Sequence, residues 1–219
     1  MRGRSDGSSK SVTTWPWRST LSPGDSQRFP ESFFLQKTEL VARHLLGARL
    51  SSTIGGERTE GVIVETEAYT GPQDPASHAA ERIGETRRNK SMFGSPGRAY
   101  VYRSYGIHWC LNVVTQALGF PAAVLIRSVE PLQGEEAMGR RRNGRRPLCA
   151  GPGRLTQAMG ISGELDGHPL HEEPLTLWSG WTVSEEMVGV SGRIGVSEAS
   201  DWPLRFYLRG HPGVSRTPR

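Results

Sequence analysis

The segment Gly61 to Tyr69, read as Gly-Val-Ile-Val-Glu-Thr-Glu-Ala-Tyr, constrains this chain more than any other. Three successive β-branched apolar residues, Val62 to Val64, call for a buried strand, and the segment then runs into two carboxylates and a tyrosine before breaking at Gly71-Pro72. A period of two puts Glu65, Glu67 and Tyr69 on one face, at roughly 6.6 Å per pair of steps, with Val62, Val64, Thr66 and Ala68 on the other. One face belongs to a core and the other is a candidate site. From this segment alone, structural glutamates paired with arginines are an equal reading, since the chain holds 24 arginines.

The surroundings are those of a hairpin. Thr38 is placed to cap a helix through Leu46, with Val41, Ala42, Leu45 and Leu46 on one side and Gly47 as its stop. Ala48 to Thr53 reads as a strand, and Gly55-Gly56 turns the chain back into Gly61 to Tyr69. From Thr70 to Gly97 the chain is loop-like yet carries His78 and the basic cluster Arg87, Arg88 and Lys90. So long a loop in a compact domain is usually functional or disordered. Arg98 to Val114 forms a second hairpin, turning at Ser104 to Gly106, with an aromatic Tyr105 where most tips are small and polar. Tyr100 and Tyr102 suit ordinary strand packing. Tyr105 beside Gly106 is poorly placed for a core and invites a binding role.

Farther on, Ala122 to Ile126 is a buried strand closed by Arg127, much as Glu67 closes the earlier one. Helices follow from Glu135 to about Arg142 and from Gly151-Pro152-Gly153 to Met159, and strands are expected at Arg193 to Val196 and Leu204 to Leu208. The run Arg140 to Arg142 with Arg145 and Arg146 reads as a solvated basic face. His168 and His171 beside Glu172 have a spacing open to metal, but Pro169 and the surrounding loop favour exposed residues.

At 219 residues a single domain is expected, spanning residues 31–213, after a disordered polar tail over 1–30 and before a disordered C-terminus over 214–219. A net charge of +5, carried almost wholly by arginine, suits a polyanionic partner. Cys110 and Cys149 are the only cysteines, too few for a Cys-rich zinc site or an iron–sulfur cluster. No apolar run reaches membrane-spanning length, and a secretory signal is absent from the N-terminus, so an intracellular protein is expected, cytoplasmic or nucleoid-associated in a bacterium and nuclear in a eukaryote. Glu67 and Arg127 at strand ends, His78 in the adjoining loop and tyrosines on the next hairpin form one constellation. A carboxylate beside an arginine stays ionised, as a base acting on water must, and aromatic faces favour a flat, cationic ring. Acid, aromatic cage and basic surface together point to base chemistry on nucleic acid.

Several ordered pieces, among them Leu40 to Gly47, Ile63-Val64-Glu65-Thr66-Glu67-Ala68-Tyr69, Asp74-Pro75-Ala76-Ser77-His78, Met92-Phe93-Gly94, Tyr100-Val101-Tyr102, Tyr105-Gly106, Asn112-Val113-Val114, Val124-Leu125-Ile126-Arg127 and Arg205-Phe206-Tyr207, together resemble the alkyladenine (methylpurine) DNA glycosylase family. The resemblance runs from about residue 35 to about 210. It implies a single-domain α+β fold with a curved, largely antiparallel sheet flanked by short helices, no metal and no cofactor. It also implies Glu67 as general base with Arg127 holding it and the water, Tyr69, His78 and Tyr102 lining the base pocket, Asn112 guarding against a purine 2-amino group, and Tyr105 entering the duplex. The expected partner is double-stranded DNA carrying a damaged purine, bound by a monomer. Lysine is scarce (Lys10, Lys37 and Lys90), which argues for a monofunctional glycosylase rather than a Schiff-base lyase. Two rival readings are a binder of distorted DNA without chemistry and a hydrolase of free nucleosides. The first has no use for a carboxylate facing a polyanion. The second needs neither a basic surface nor an intercalating tyrosine.

Overall fold

A computed structural model of the chain describes Trp15, Trp17 and residues 27–215. The elements run α1 (Glu31–Phe34), α2 (Thr38–His44), β1 (Arg49–Ser52), β2 (Thr59–Tyr69), β3 (Ala99–Ser104), β4 (His108–Thr115), β5 (Ala122–Gln133), α3 (Glu135–Arg141), α4 (Pro152–Met159), β6 (Leu175–Trp178), β7 (Val188–Ser191) and β8 (Arg205–Leu208). Every strand pairing is antiparallel, in the order β3-β4-β5-β2-β1-β6, with β8 added to β2 and β7 to β8. The fold is therefore a single α+β domain with a curled antiparallel sheet and short helices.

β2 is the axis of this sheet. One edge pairs with β5 along almost its whole length, while the other is shared: β1 takes Thr59 to Val62 and β8 takes Glu65 to Glu67. Two neighbours on one edge curl the sheet around the acidic end of β2. Two register shifts sharpen the bend, because between Ile63 and Glu65 the extra residue is Val64 on β2, and between Glu65 and Thr66 it is Arg127 on β5. A bulge leaves its residue unpaired and re-aims its side chain. Here the re-aimed side chain is the guanidinium of Arg127.

Behind β2, Val41 and Ala42 of α2 and Leu45 at its C-terminal cap are completely buried, and the Thr66 hydroxyl donates to the Ala42 carbonyl at 2.7 Å. Truncating Leu45 to alanine would cost about 2 to 5 kcal/mol. Thr38 does not cap this helix; its hydroxyl sits 3.0 Å from that of Thr115 and ties α2 to β4. Gly47, at φ +85°, reverses the chain after it.

Several expectations need correction. Arg193 to Val196 is a loop rather than a strand; the Ile194 backbone N–H donates to the Glu67 carboxylate instead of to a ladder partner. β6 and β7 lie where no strand was expected; both are only four residues long, and β7 contains a glycine and a serine. Most of the segment read as a polar tail lies outside the described residues, but Trp15 and Trp17 are buried in the core, and Gln27 donates its backbone N–H to the Ser179 hydroxyl. An indole ring buries a large apolar area, so these two positions pack into the core although the average composition around them is polar. Val214 and Ser215 likewise fold onto the domain, while 216–219 lie outside the described residues. The arginine run is only partly solvated: Arg142 is buried against Gln157, and Arg141 donates to the carbonyls of Ile54 and Ala158. Among the described residues, no helix is long and apolar enough to cross a membrane.

Candidate active site

The acidic end of β2 faces the hairpin β3–β4 across the long loop 70–98. That loop is ordered by its own polar groups. Asp74 accepts from the backbone of Thr70 and Ala76, and the Asn89 side-chain amide donates to the carbonyls of His78 and Gly84, each at 2.8 Å. The buried Asp74 carboxylate is gripped from the other side by the Arg193 guanidinium at 2.5 and 2.7 Å, and Arg193 also covers the Tyr69 ring, 4.8 Å from its centroid. Loop 70–98 and the loop after β7 are thereby fastened together over the end of β2.

Between them lies a cavity of about 410 Å³, lined by Tyr69, His78, Tyr100, Tyr102 and Asn112 among others, with Tyr105 at its rim. Its volume falls within the range of small-ligand sites. Tyr100 and Tyr102 stack at 5.4 Å, His78 stands edge-on to Tyr102 at 4.4 Å, and His78 Nδ1 is 2.9 Å from the Tyr100 hydroxyl. Burial, helped by the nearby Arg88 guanidinium, lowers the His78 imidazole from 6.5 to about 4, so the ring is neutral at neutral pH. Asn112 is buried at the back of the cavity and donates its side-chain N–H to the Tyr100 carbonyl at 3.0 Å.

Tyr69 joins this cavity to the charged groups beneath it. Its ring lines the space and its hydroxyl donates to Glu67 Oε2 at 3.1 Å. Arg127 Nη1 donates to the same oxygen at 3.1 Å, and the Ile194 backbone N–H donates to Glu67 Oε1 at 2.7 Å. Glu67 and Arg127 therefore meet as the sequence suggested, but one layer below the cavity, with Glu67 fully enclosed. Arginine is not the largest influence on the Glu67 carboxyl. Burial pushes its carboxyl up, against Arg127 and the Ile194 N–H, and the neighbouring Glu65 charge adds to the rise. Glu65 shifts the other way. Burial would raise it too, but Arg127, Arg205 and the Ser215 N–H outweigh burial and bring its carboxyl below the usual value. Two carboxylates two residues apart are thus driven in opposite directions, the pattern by which one becomes a proton acceptor and the other a fixed anion.

At the rim, the turn Ser104 to Ile107 is closed by the Ile107 N–H on the Ser104 carbonyl at 3.0 Å, with Tyr105 at φ +49° and Gly106 at φ +67°. A tyrosine in the left-handed region is uncommon, and this one is 87% exposed. The sequence had singled out this residue. It gave no hint of the Ile194 N–H, the Asp74–Arg193 pair or Ser215 as partners of the site. Arg205 alone carried a usable signal, a charged residue between Leu204 and Phe206 in a strand buried on both faces.

Residues 32–212 match the family described as Methylpurine-DNA glycosylase (MPG). The chain belongs to the methylpurine-DNA glycosylase family. Similar proteins of that family include one from Agrobacterium fabrum, 48% identical over 195 residues that cover 87% of this chain and 94% of the relative. Others are from Carboxydothermus hydrogenoformans, 44% identical over 190 residues (85% and 98%), and Methanoculleus marisnigri, 45% identical over 194 residues (85% and 98%). Each of the three bears the name "Putative 3-methyladenine DNA glycosylase". Membership makes this chain a DNA glycosylase, and the matched span covers every residue of the cavity and both glutamates.

Proposed function

We propose that this DNA glycosylase rotates an alkylated purine of the 3-methyladenine type out of duplex DNA and hydrolyses its N-glycosidic bond, leaving an abasic site for base excision repair. The observation that carries the reading is the stacking order Glu67–Tyr69–cavity: a buried carboxylate, a tyrosine that touches it, and a purine-sized aromatic space above, with an exposed tyrosine at the mouth.

A base within a duplex is out of reach of any side chain, so it is extruded at a cost of a few kcal/mol. Tyr105 fills the gap and restores on the order of 1 to 3 kcal/mol of stacking. In the cavity, the faces of Tyr69 and Tyr102 and the neutral edge of His78 receive a ring that alkylation has made cationic. Asn112 at the back excludes purines bearing a 2-amino group. A water that takes the place of the Tyr69 hydroxyl on Glu67 Oε2 then stands between the carboxylate and C1′. Glu67 accepts a proton from this water, the water oxygen bonds to C1′, and the C1′–N bond breaks with its electron pair passing to the base, which departs neutral. Arg127 holds Glu67 and the water in line. Among the described residues no lysine lines the cavity, so hydrolysis proceeds without a Schiff base. One copy of the chain supplies the whole site, and the working unit is a monomer.

The test is Glu67→Gln on duplex DNA containing methylated adenine, scored by alkali-labile strand breaks alongside binding. Excision is expected to vanish while binding persists, and turnover by the variant would refute the assigned role.

A further inference from the structure

Glu65 lies outside the cavity lining, yet it collects more donors than any other side chain near the site. Its Oε1 accepts from Arg127 Nε and Arg205 Nε, each at 2.8 Å, and from the Ser215 hydroxyl at 2.9 Å; its Oε2 accepts from the Ser128 hydroxyl at 3.0 Å and the Ser215 backbone N–H at 2.7 Å. The Ser215 hydroxyl also accepts from Arg127 Nη2 at 3.3 Å. It therefore sits between anion and cation, donating to one and accepting from the other. With Nε on Glu65 and Nη2 on Ser215, the Arg127 fork has one orientation, the one that presents Nη1 to Glu67.

Ser215 is in turn held by a turn it did not build. His211 Nδ1 accepts the Gly213 N–H at 3.0 Å, and the Val214 N–H donates to the His211 carbonyl at 3.2 Å. Because Nδ1 is an acceptor, the imidazole proton is on Nε2, which donates to Glu130 Oε2 at 2.7 Å. The Trp17 indole N–H donates to the same oxygen at 2.6 Å, and the rings of Trp15 and Trp17 lie 4.6 and 5.8 Å from the imidazole. Glu130 belongs to β5, three residues beyond Arg127. Both ends of the anchoring are thus fixed to one strand.

We infer that Ser215 is a positioning residue of the hydrolytic centre, locking the Arg127 guanidinium against Glu65 so that its remaining arm is aimed at Glu67, with the His211 turn beneath Trp15 and Trp17 setting where Ser215 stands. The inference rests on the catalytic reading of Glu67 and Arg127 given above. A residue that only fastened the C-terminal segment would affect folding and leave the chemical step alone.

The experiment compares wild type, Ser215→Ala and Ser215→Thr, with Glu67→Gln run in parallel, in single-turnover excision of methylated adenine and in equilibrium binding to abasic-site duplex. Ser215→Ala is expected to slow excision about tenfold, the loss of a hydrogen bond to a charged group, with affinity within about twofold of wild type. Ser215→Thr, which keeps the hydroxyl, restores most of the rate. A wild-type rate in Ser215→Ala, a parallel fall of rate and affinity, or a threonine variant no better than alanine each overturns the positioning role. An active Glu67→Gln instead strikes the underlying reading, so the two failures are told apart.

Discussion

Glu65 and Glu67 share one guanidinium: Arg127 reaches Glu65 Oε1 with Nε at 2.8 Å and Glu67 Oε2 with Nη1 at 3.1 Å. The two carboxyls nevertheless shift oppositely, Glu65 below and Glu67 above the ordinary glutamate value of 4.5. Glu65 therefore contributes stability that is present above pH 4.5 and lost as pH falls through its folded-state value. Glu67 does the reverse: its contribution is greatest below pH 4.5 and is lost as pH rises through its folded-state value. At neutral pH, Glu65→Gln is expected to cost about 3 to 5 kcal/mol of unfolding free energy, because it leaves buried guanidiniums uncompensated. Glu67→Gln should be as stable as wild type or more so. Urea unfolding of both variants at pH 7 checks the contrast, and equal losses would contradict it.

The raised Glu67 carboxyl fixes the acid side of the reaction. On the proposed reading, with Glu67 the base and active only when ionised, single-turnover excision of methylated adenine should fall with acidification through a midpoint above 4.5. His78 adds no second transition near 6.5, since it gains its proton only at about 4. Rate against pH, with imidazole NMR of His78, reads both.

Tyr105 spends backbone energy to stand where it does. Replacing it by glycine removes a side chain 87% exposed and relieves a positive φ, so the variant is expected to unfold no earlier than wild type. Its affinity for abasic-site duplex should drop by about 1 to 3 kcal/mol. Melting curves and titration of labelled duplex measure the two; undiminished affinity would show that the ring does not enter DNA.

The Asp74–Arg193 pair, with both side chains fully buried, holds the two loops that enclose the cavity. Asp74→Ala strands the guanidinium and should destabilise by about 3 to 5 kcal/mol. Because the same guanidinium lies over Tyr69, excision should suffer in whatever fraction remains folded. Denaturant titration and active-site counting with a tight-binding duplex separate the two effects.

What was legible in the sequence was what the chain repeats locally. Alternation around Val62 to Tyr69 placed Glu65, Glu67 and Tyr69 on a common side, and the aromatic hairpin tip announced itself through Tyr105-Gly106. Partners brought together from far apart left no local trace. Ile194 serves Glu67 through a backbone N–H, which any residue possesses, and Ser215 is one serine among many. The burial of Trp15 and Trp17 was not legible because disorder is read from average composition, whereas burial depends on a few large rings finding a surface. The upward shift of Glu67 was not legible because burial, invisible along the chain, outweighs the arginine beside it.

The separation of these partners along the chain bears on how such an enzyme is made. Glu65 is synthesised 62 residues before Arg127, 140 before Arg205 and 150 before Ser215. A half-finished chain emerging from the ribosome holds Glu65 before any of these three donors exists. The network around Glu65 is thus completed late, when β8 and the residues after it close on β2.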